Sequence, residues 1–244
     1  MRQISPLSHL THKHCTKFLE KGQLGVRLWL DVRPFVWYHY ARCYLRRRKS
    51  TVSEITVQTV YFPQPGPANT TRVLELVHAR AGALGIRKVL VATATGATGV
   101  QAAQVLHGLE MIAVTHSTGF ARPDGQDLTP ENRAAIEAAG AKILTCQHAL
   151  GGVGRAVRKK LGTYELEEII AYTLRIFGEG IKVAAEITLM AADAGLVRTD
   201  EPLIAVAGTG RGADTAAVLK PANAQTFFDL RFLEIICMSS PGHP

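Results

Sequence analysis

The sequence predicts a three-layer α/β/α fold around a mostly parallel central sheet, and three observations carry that prediction. Short uninterrupted apolar runs at 89–92, 111–114 and 203–207 read as strands buried on both faces. Each run passes at once into hydroxyls and glycines, at 93–99, 115–120 and 208–215. Amphipathic segments alternate with the runs, which implies right-handed βαβ units with helices on both faces of the sheet.

The elements follow in order. Residues 57–62 form a first strand, ended by the turn cluster 63–67. Asn69 is expected to cap a helix carrying Val73, Leu76, Val77 and Leu84 on one face, with Gly85 as its stop. The central strand, 89–92, opens into Thr93-Ala94-Thr95-Gly96-Ala97-Thr98-Gly99, and a helix continues through Leu106. A buried strand, a Gly/Thr loop and a helix start together make an anion site, because free N–H groups and the positive end of the helix dipole meet there. Gly96 and Gly99 permit close backbone approach, and Thr93, Thr95 and Thr98 supply hydroxyls. The alternative is an ordinary turn with Thr98 as N-cap; the spacing is neither a P-loop nor G-x-G-x-x-G.

The strand 111–114 leads into Thr115-His116-Ser117-Thr118-Gly119-Phe120 and a polar loop. Thr129 then caps a helix with Pro130 in its first position and Gly140 at its end. A fourth strand, 142–145, runs into Cys146-Gln147-His148. From Gly151 the chain is expected to be helical. Thr163 caps a helix bearing Leu166, Ile169, Ile170, Leu174 and Phe177, and an Ala-rich helix over 180–195 carries Val183, Ile187, Met190, Ala191 and Ala194. Glu186 and Asp193 border that second stripe, as candidates either for acid–base work or for a structural role. The fifth strand, 203–207, ends in Gly208-Thr209-Gly210-Arg211, whose guanidinium can clamp a phosphate or carboxylate unless it pairs with Asp214. Segments 216–219 and 234–238 close the sheet as a mixed edge. Loops 93–99, 115–120 and 146–154 share the carboxyl edge of the sheet, where ligands of such folds bind, and are expected to converge on one ligand.

At 244 residues and 47% hydrophobic, the chain can bury one domain plus an appendage. The net charge of +8 resides in that appendage: residues 1–51 hold 11 Lys/Arg against Glu20 and Asp31, while the rest holds 17 basic and 18 acidic residues. The basic balance is therefore no argument for a nucleic-acid partner. Arg27, Asp31, Arg33, His39 and Arg42 interrupt the apolar stretch 24–45 too often for a membrane span, and it lacks a secretory cleavage site. A transit-like peptide, an interfacial anchor or a weak phosphate contact are the alternatives for this segment. Our expectation is that 1–51 is a basic extension, disordered or a mis-called start, ahead of an α/β domain at 52–244. No Met lies between Met1 and Met111, so a start at Val52 is expected. Peptide mapping of the N-terminus checks this: no peptides from 2–49 is the expected result, and abundant ones contradict it. Cys15, Cys43, Cys146 and Cys237 show neither C-x-x-C nor metal-finger spacing, which points to reduced thiols in a cytoplasmic protein.

Several motifs are familiar together: Tyr61-Phe62 with Gly66 and Asn69-Thr70, Val114-Thr115 with Thr118-Gly119-Phe120, His148-Ala149-Leu150, Glu186-Ile187-Thr188 with 190–195, 208–215, and Phe227-Phe228-Asp229 with 234–238. On these, residues 56–238 resemble the stand-alone family similar to the C-terminal α/β domain of pyruvate kinase. In pyruvate kinase that domain is regulatory, and its Ser/Thr-Gly loop holds a sugar-phosphate effector's phosphate. Stand-alone relatives hold flavin mononucleotide (FMN), so the resemblance implies FMN here. Its phosphate would lie on Thr93, Thr95, Gly96, Thr98 and Gly99. Thr115, His116, Thr118, Gly119, His148, Gly208, Thr209, Gly210 and Arg211 would border the rest. The family pattern has Ser-Gly where this chain has Gly151-Gly152, so one hydroxyl is missing. Pyruvate kinase activity is not expected, since the catalytic barrel is absent.

Three functions compete: an FMN-binding protein, a flavin-dependent enzyme with His116, His148 or Cys146 near its chemistry, and a regulatory module binding an effector or partner enzyme. Cys146 is expected to be an inert thiol rather than a nucleophile with His148 as base. No metal set is evident. The expected partner is a phosphorylated small molecule or flavin, with no nucleic acid or membrane, and a homo-oligomer is compatible.

Overall fold

In the computed structural model, which describes residues 53–240, the apolar runs are strands of one seven-stranded sheet. The strands are β1 (Val60–Phe62), β2 (Lys88–Ala92), β3 (Glu110–Val114), β4 (Lys142–Leu144), β5 (Leu203–Ala207), β6 (Thr215–Lys220) and β7 (Arg231–Ser239). Their order is β1-β7-β6-β5-β2-β3-β4. Every pairing is parallel except those of β6, which runs antiparallel to β5 and β7. The basic segment 1–51, its expected disorder and the expected start at Val52 lie outside the described residues.

Six helices complete the layers: α1 (Thr70–Leu84), α2 (Ala97–Val105), α3 (Pro130–Ala138), α4 (Gly152–Leu161), α5 (Leu166–Arg175) and α6 (Glu179–Asp193). The period-2 alternation of β2 divides the core. Val89 and Val91 pack with Val73, Leu74 and Val77 of α1, Ala102 of α2 and Ile136 of α3. Leu90 faces the opposite way, into Ala184, Ile187, Met190 and Ala191 of α6. Leu150, Ala171 and Leu189 then fasten α5 to the outer side of α6. Residues of α6 from Gly180 to Ala192 are therefore almost all buried, which explains its small side chains: Gly180 lies so close to β6 that a Cβ there would sit 2.1 Å from Thr215 Oγ1.

Several expectations need correction. The antiparallel element is not a closing edge, because β6 lies inside the sheet and β7 and β1 continue beyond it. The first strand is shorter than 57–62, pairing only over Val60–Phe62 with β7. Leu74, not Leu84, completes the buried face of α1; Leu84 is exposed in the last turn. The N-cap of α2 is Gly96, in left-handed backbone at φ 100°, not Thr98, and the hydroxyl that meets the helix start is that of Thr93, accepting from Gly99 N–H at 3.3 Å. Glu165, not Thr163, precedes α5. The helix stripe read from 166–177 is largely outward: Leu166, Ile169 and Phe177 are exposed, as are Ile176 and Val153, and the buried face consists of Glu168 and Ala171. Ala194 is likewise exposed. Thr129 caps α3 as expected, its Oγ1 accepting from Asn132 N–H at 3.2 Å. Among the described residues, no helix is long and apolar enough to cross a membrane.

Candidate functional site

The parallel strands β2, β3, β4 and β5 all end at the same edge, and the loops that follow them line one cleft of about 820 Å³. Ala92–Thr95 with Thr98 come from the β2–α2 turn, Thr115, His116 and Phe120 from the segment after β3, His148 from that after β4, and Gly208, Gly210, Arg211 and Gly212 from that after β5. The floor is the N-terminal half of α6, with Lys182, Val183, Glu186 and Ile187. This is the crevice at the carboxyl edge where β2 and β5 lie side by side.

At the β2–α2 turn, the first N–H groups of the helix lack intrahelical acceptors. Gly99 N–H goes to Thr93 and Val100 N–H to the Gly96 carbonyl, which leaves those of Ala97 and Thr98 without an acceptor among the described residues. Gly96 and Gly99 do not line the cleft; they let α2 press against α3. A Cβ at Gly96 would lie 2.5 Å from Asn132 Cβ and one at Gly99 2.8 Å from Ile136 Cδ1. Thr115 borders the cleft, but its Oγ1 is engaged by Thr145 Oγ1 at 2.7 Å and by the His116 carbonyl at 3.0 Å.

The β5 loop is pinned from beneath by Asp214, which is fully buried. Its Oδ2 accepts from Gly66 N–H at 3.0 Å and Thr209 N–H at 2.9 Å, and its Oδ1 from the Thr215 hydroxyl at 2.8 Å. Asp214 therefore does not pair with Arg211. Arg211 is exposed at the cleft rim and has no carboxylate partner among the described residues. Thr209 is tied to this pin and does not line the cleft.

Rings occupy the β3 side. Phe120 stacks on His116 with centroids 4.1 Å apart and on His148 at 5.0 Å, and the Arg155 guanidinium lies over Phe120 at 4.7 Å. Each imidazole has a carboxylate near Nδ1: Asp127 Oδ2 at 2.8 Å from His116, and Glu186 Oε1 at 3.6 Å from His148. Glu186 is nearly fully buried, accepts from Leu150 N–H at 3.1 Å and holds Lys182 Nζ at 2.5 Å. Burial pushes its carboxyl up, but His148 and Lys182 together outweigh that and hold it at about 2. Asp193, paired with Glu186 in the sequence reading, points elsewhere and accepts from Asn223 Nδ2 and Ala224 N–H, so the two carboxylates form no acid–base pair.

Thr118 and Gly119 are not brought into this cleft. Gly119 borders a 220 Å³ hollow with Ser117, Arg155 and Lys159, and Thr118 borders a third with Cys146. Burial, reinforced by the Asp193 charge, pushes the Cys146 thiol up, and burial takes that of Cys237 to about 12, so neither is a poised nucleophile. The sequence reading missed Phe120, Arg155, Lys182 and Glu186 as a connected wall. The i, i+4 spacing of Lys182 and Glu186 within an apolar helix was the available signal of a buried pair. No group of three or more potential metal ligands occurs among the described residues.

The family model described as "Pyruvate kinase, alpha/beta domain" matches residues 71–220. Among solved structures, the chain is similar to a pyruvate kinase from Cryptosporidium parvum at 14% identity and TM-score 0.35, covering 79% of this chain and 27% of that one. A second structure of Cryptosporidium parvum pyruvate kinase, in complex with ADP, gives 14% identity, TM-score 0.33 and coverage of 83% and 27%. An SAH-bound methyltransferase from Podospora anserina follows at 11% identity and TM-score 0.24, with 84% and 73% covered. The chain thus spans about a quarter of the length of the pyruvate kinases it matches. With its core from α1 through β6 inside the family match, the chain belongs to the pyruvate kinase alpha/beta domain family.

Proposed function

We propose that the cleft binds a phosphorylated small ligand, with FMN as the leading candidate. The observation that carries this reading is the convergence on one cleft of the α2 N-terminus with two guanidinium groups, Arg155 and Arg211, that have no carboxylate partner among the described residues. Two unpaired cations and free N–H groups favour an anion, and the Thr95 and Thr98 hydroxyls add neutral donors. The stack of Phe120 on two imidazoles beneath Arg155 favours a planar ring in the same ligand. The ligand is met in the cytoplasm in this reading. The outward apolar side chains of α4 and α5, Val153, Leu166 and Ile169, together with Ile176 just after α5, favour a homo-oligomer.

The test is a visible absorbance spectrum of the freshly purified full chain, followed by titration with FMN. A flavin band or saturable binding is expected. Arg211→Ala should weaken binding about tenfold or more, the scale of one charge-assisted hydrogen bond. A folded protein that neither carries nor binds FMN contradicts the flavin reading.

A further inference from the structure

Beside the cleft lies the smaller hollow of about 220 Å³, and Phe120, His148 and Arg155 border both. The wall of the hollow holds two cations, Arg155 and Lys159 of α4, and no carboxylate. Four residues apart, they share one face of the helix, where like charges repel. Arg158 of the same helix is neutralised by Glu168 at 2.9 Å, whereas neither Arg155 nor Lys159 has a carboxylate partner among the described residues. The Arg155 guanidinium is nonetheless held in place. It lies over the Phe120 ring at 4.7 Å and against Gly151, where a Cβ would come within 3.0 Å of Nη2. Gly151 also brings a donor: the residue is buried, and its N–H has no acceptor among the described residues. The Ser117 hydroxyl and the Gln147 amide add neutral donors to the same wall. Two unpaired cations, an unmet buried N–H and no carboxylate suit an anion. Size decides which kind. Sites for cofactor-sized molecules measure about 300–1,000 Å³, a range that the 820 Å³ cleft meets and the hollow does not.

We propose that the hollow is a second anion site, which takes a small oxyanion of the phosphate class. Arg155 and Lys159 supply the charge, and the Gly151 N–H supplies a neutral donor. The site is separate from the phosphate position proposed at the α2 N-terminus and Arg211, and it does not depend on the FMN reading. A larger side chain in place of Gly151 would displace the guanidinium on which the site relies.

Amide NMR of the full chain, titrated with inorganic phosphate at constant ionic strength, tests this. Saturable shifts of the Gly151 and Gly152 signals are expected. Lys159 is exposed and borders the hollow but not the cleft. Lys159→Glu should therefore weaken that binding about tenfold or more, since it removes one charge-assisted contact and adds a repulsive one. Arg211→Ala should leave the Gly151 response unchanged, whether or not phosphate also moves the Thr98 signal in the cleft. The amide spectrum itself reports that each variant is folded. A Gly151 response that is absent or does not saturate, that survives Lys159→Glu at full strength, or that disappears in Arg211→Ala overturns the inference. Saturation at Gly151 in a chain that binds no FMN supports the second site and overturns only the flavin reading.

Discussion

Replacing Lys182 by Met is expected to destabilise the protein by about 3–5 kcal/mol, the scale seen when one partner of a buried ion pair is removed. The side chains of Lys182 and Glu186 are only 5% and 3% exposed, so water cannot replace the lost ammonium. Glu186 would keep the Leu150 N–H but carry a charge whose main counter-ion is gone. The double replacement Lys182→Met with Glu186→Leu should lose less than Lys182→Met alone, because two apolar side chains leave no charge behind. Urea unfolding of the wild type and the two variants checks this ordering; a Lys182→Met loss below the double variant's would contradict it. The same pair sets an acid limb. Glu186 in the folded state is held at about 2, below its ordinary 4.5, so its contribution is complete above about pH 4.5 and disappears as the pH falls toward 2. That contribution is on the order of 3 kcal/mol. In Glu186→Gln the stability loss between pH 4.5 and 2 should be correspondingly shallower.

The second large effect is expected at Gly212. Its backbone is left-handed, at φ 70°, and a Cβ there would meet Pro67 Cα at 2.3 Å and Thr70 Oγ1 at 2.8 Å. An alanine costs about 1–2 kcal/mol for the backbone alone. It must also push the β5 loop off the start of α1, breaking the Ala213 N–H bond to Thr70 Oγ1 at 3.0 Å. Gly210 provides the control: it too is left-handed, at φ 81°, but nothing lies within 4 Å of its would-be Cβ. Gly212→Ala should therefore lower the thermal midpoint well beyond Gly210→Ala and, because this loop lines the cleft, weaken ligand binding as well. Equal losses in the two variants would show that the packing against Pro67 contributes nothing.

Much of the architecture was legible because local signals agreed with the global fold. The continuous apolar run 89–92, the Thr129-Pro130 helix start and the strand Leu203–Ala207 each combine pattern, capping and turn chemistry that admit one reading. The place of β6 was not legible, since a short Ala-rich strand has the same periodicity inside a sheet as at its edge. The orientation of α5 was not legible for a related reason. Its longest apolar side chains point outward, and the buried contacts come from Glu168 and Ala171, with Arg158 pairing Glu168 at 2.9 Å. In the site, the convergence of loops follows from parallel topology and could be read in advance. What could not be read was which glycines serve packing: Gly96 and Gly99 look like cradle residues in sequence, yet their close neighbours are side chains of the α3 region. Phe120, Arg155 and the Lys182–Glu186 pair come from three separate segments, and only the tertiary fold brings them to His148.

The central claim is that an anion on the α2 N-terminus and Arg211 holds the ligand, and paired titrations of the full chain with FMN and riboflavin test it most directly. The two molecules share the ring and ribityl chain and differ by the phosphate. Binding of FMN at least about tenfold tighter than riboflavin, with the difference shrinking as salt rises, is the predicted result. Equal affinity for the two would contradict it.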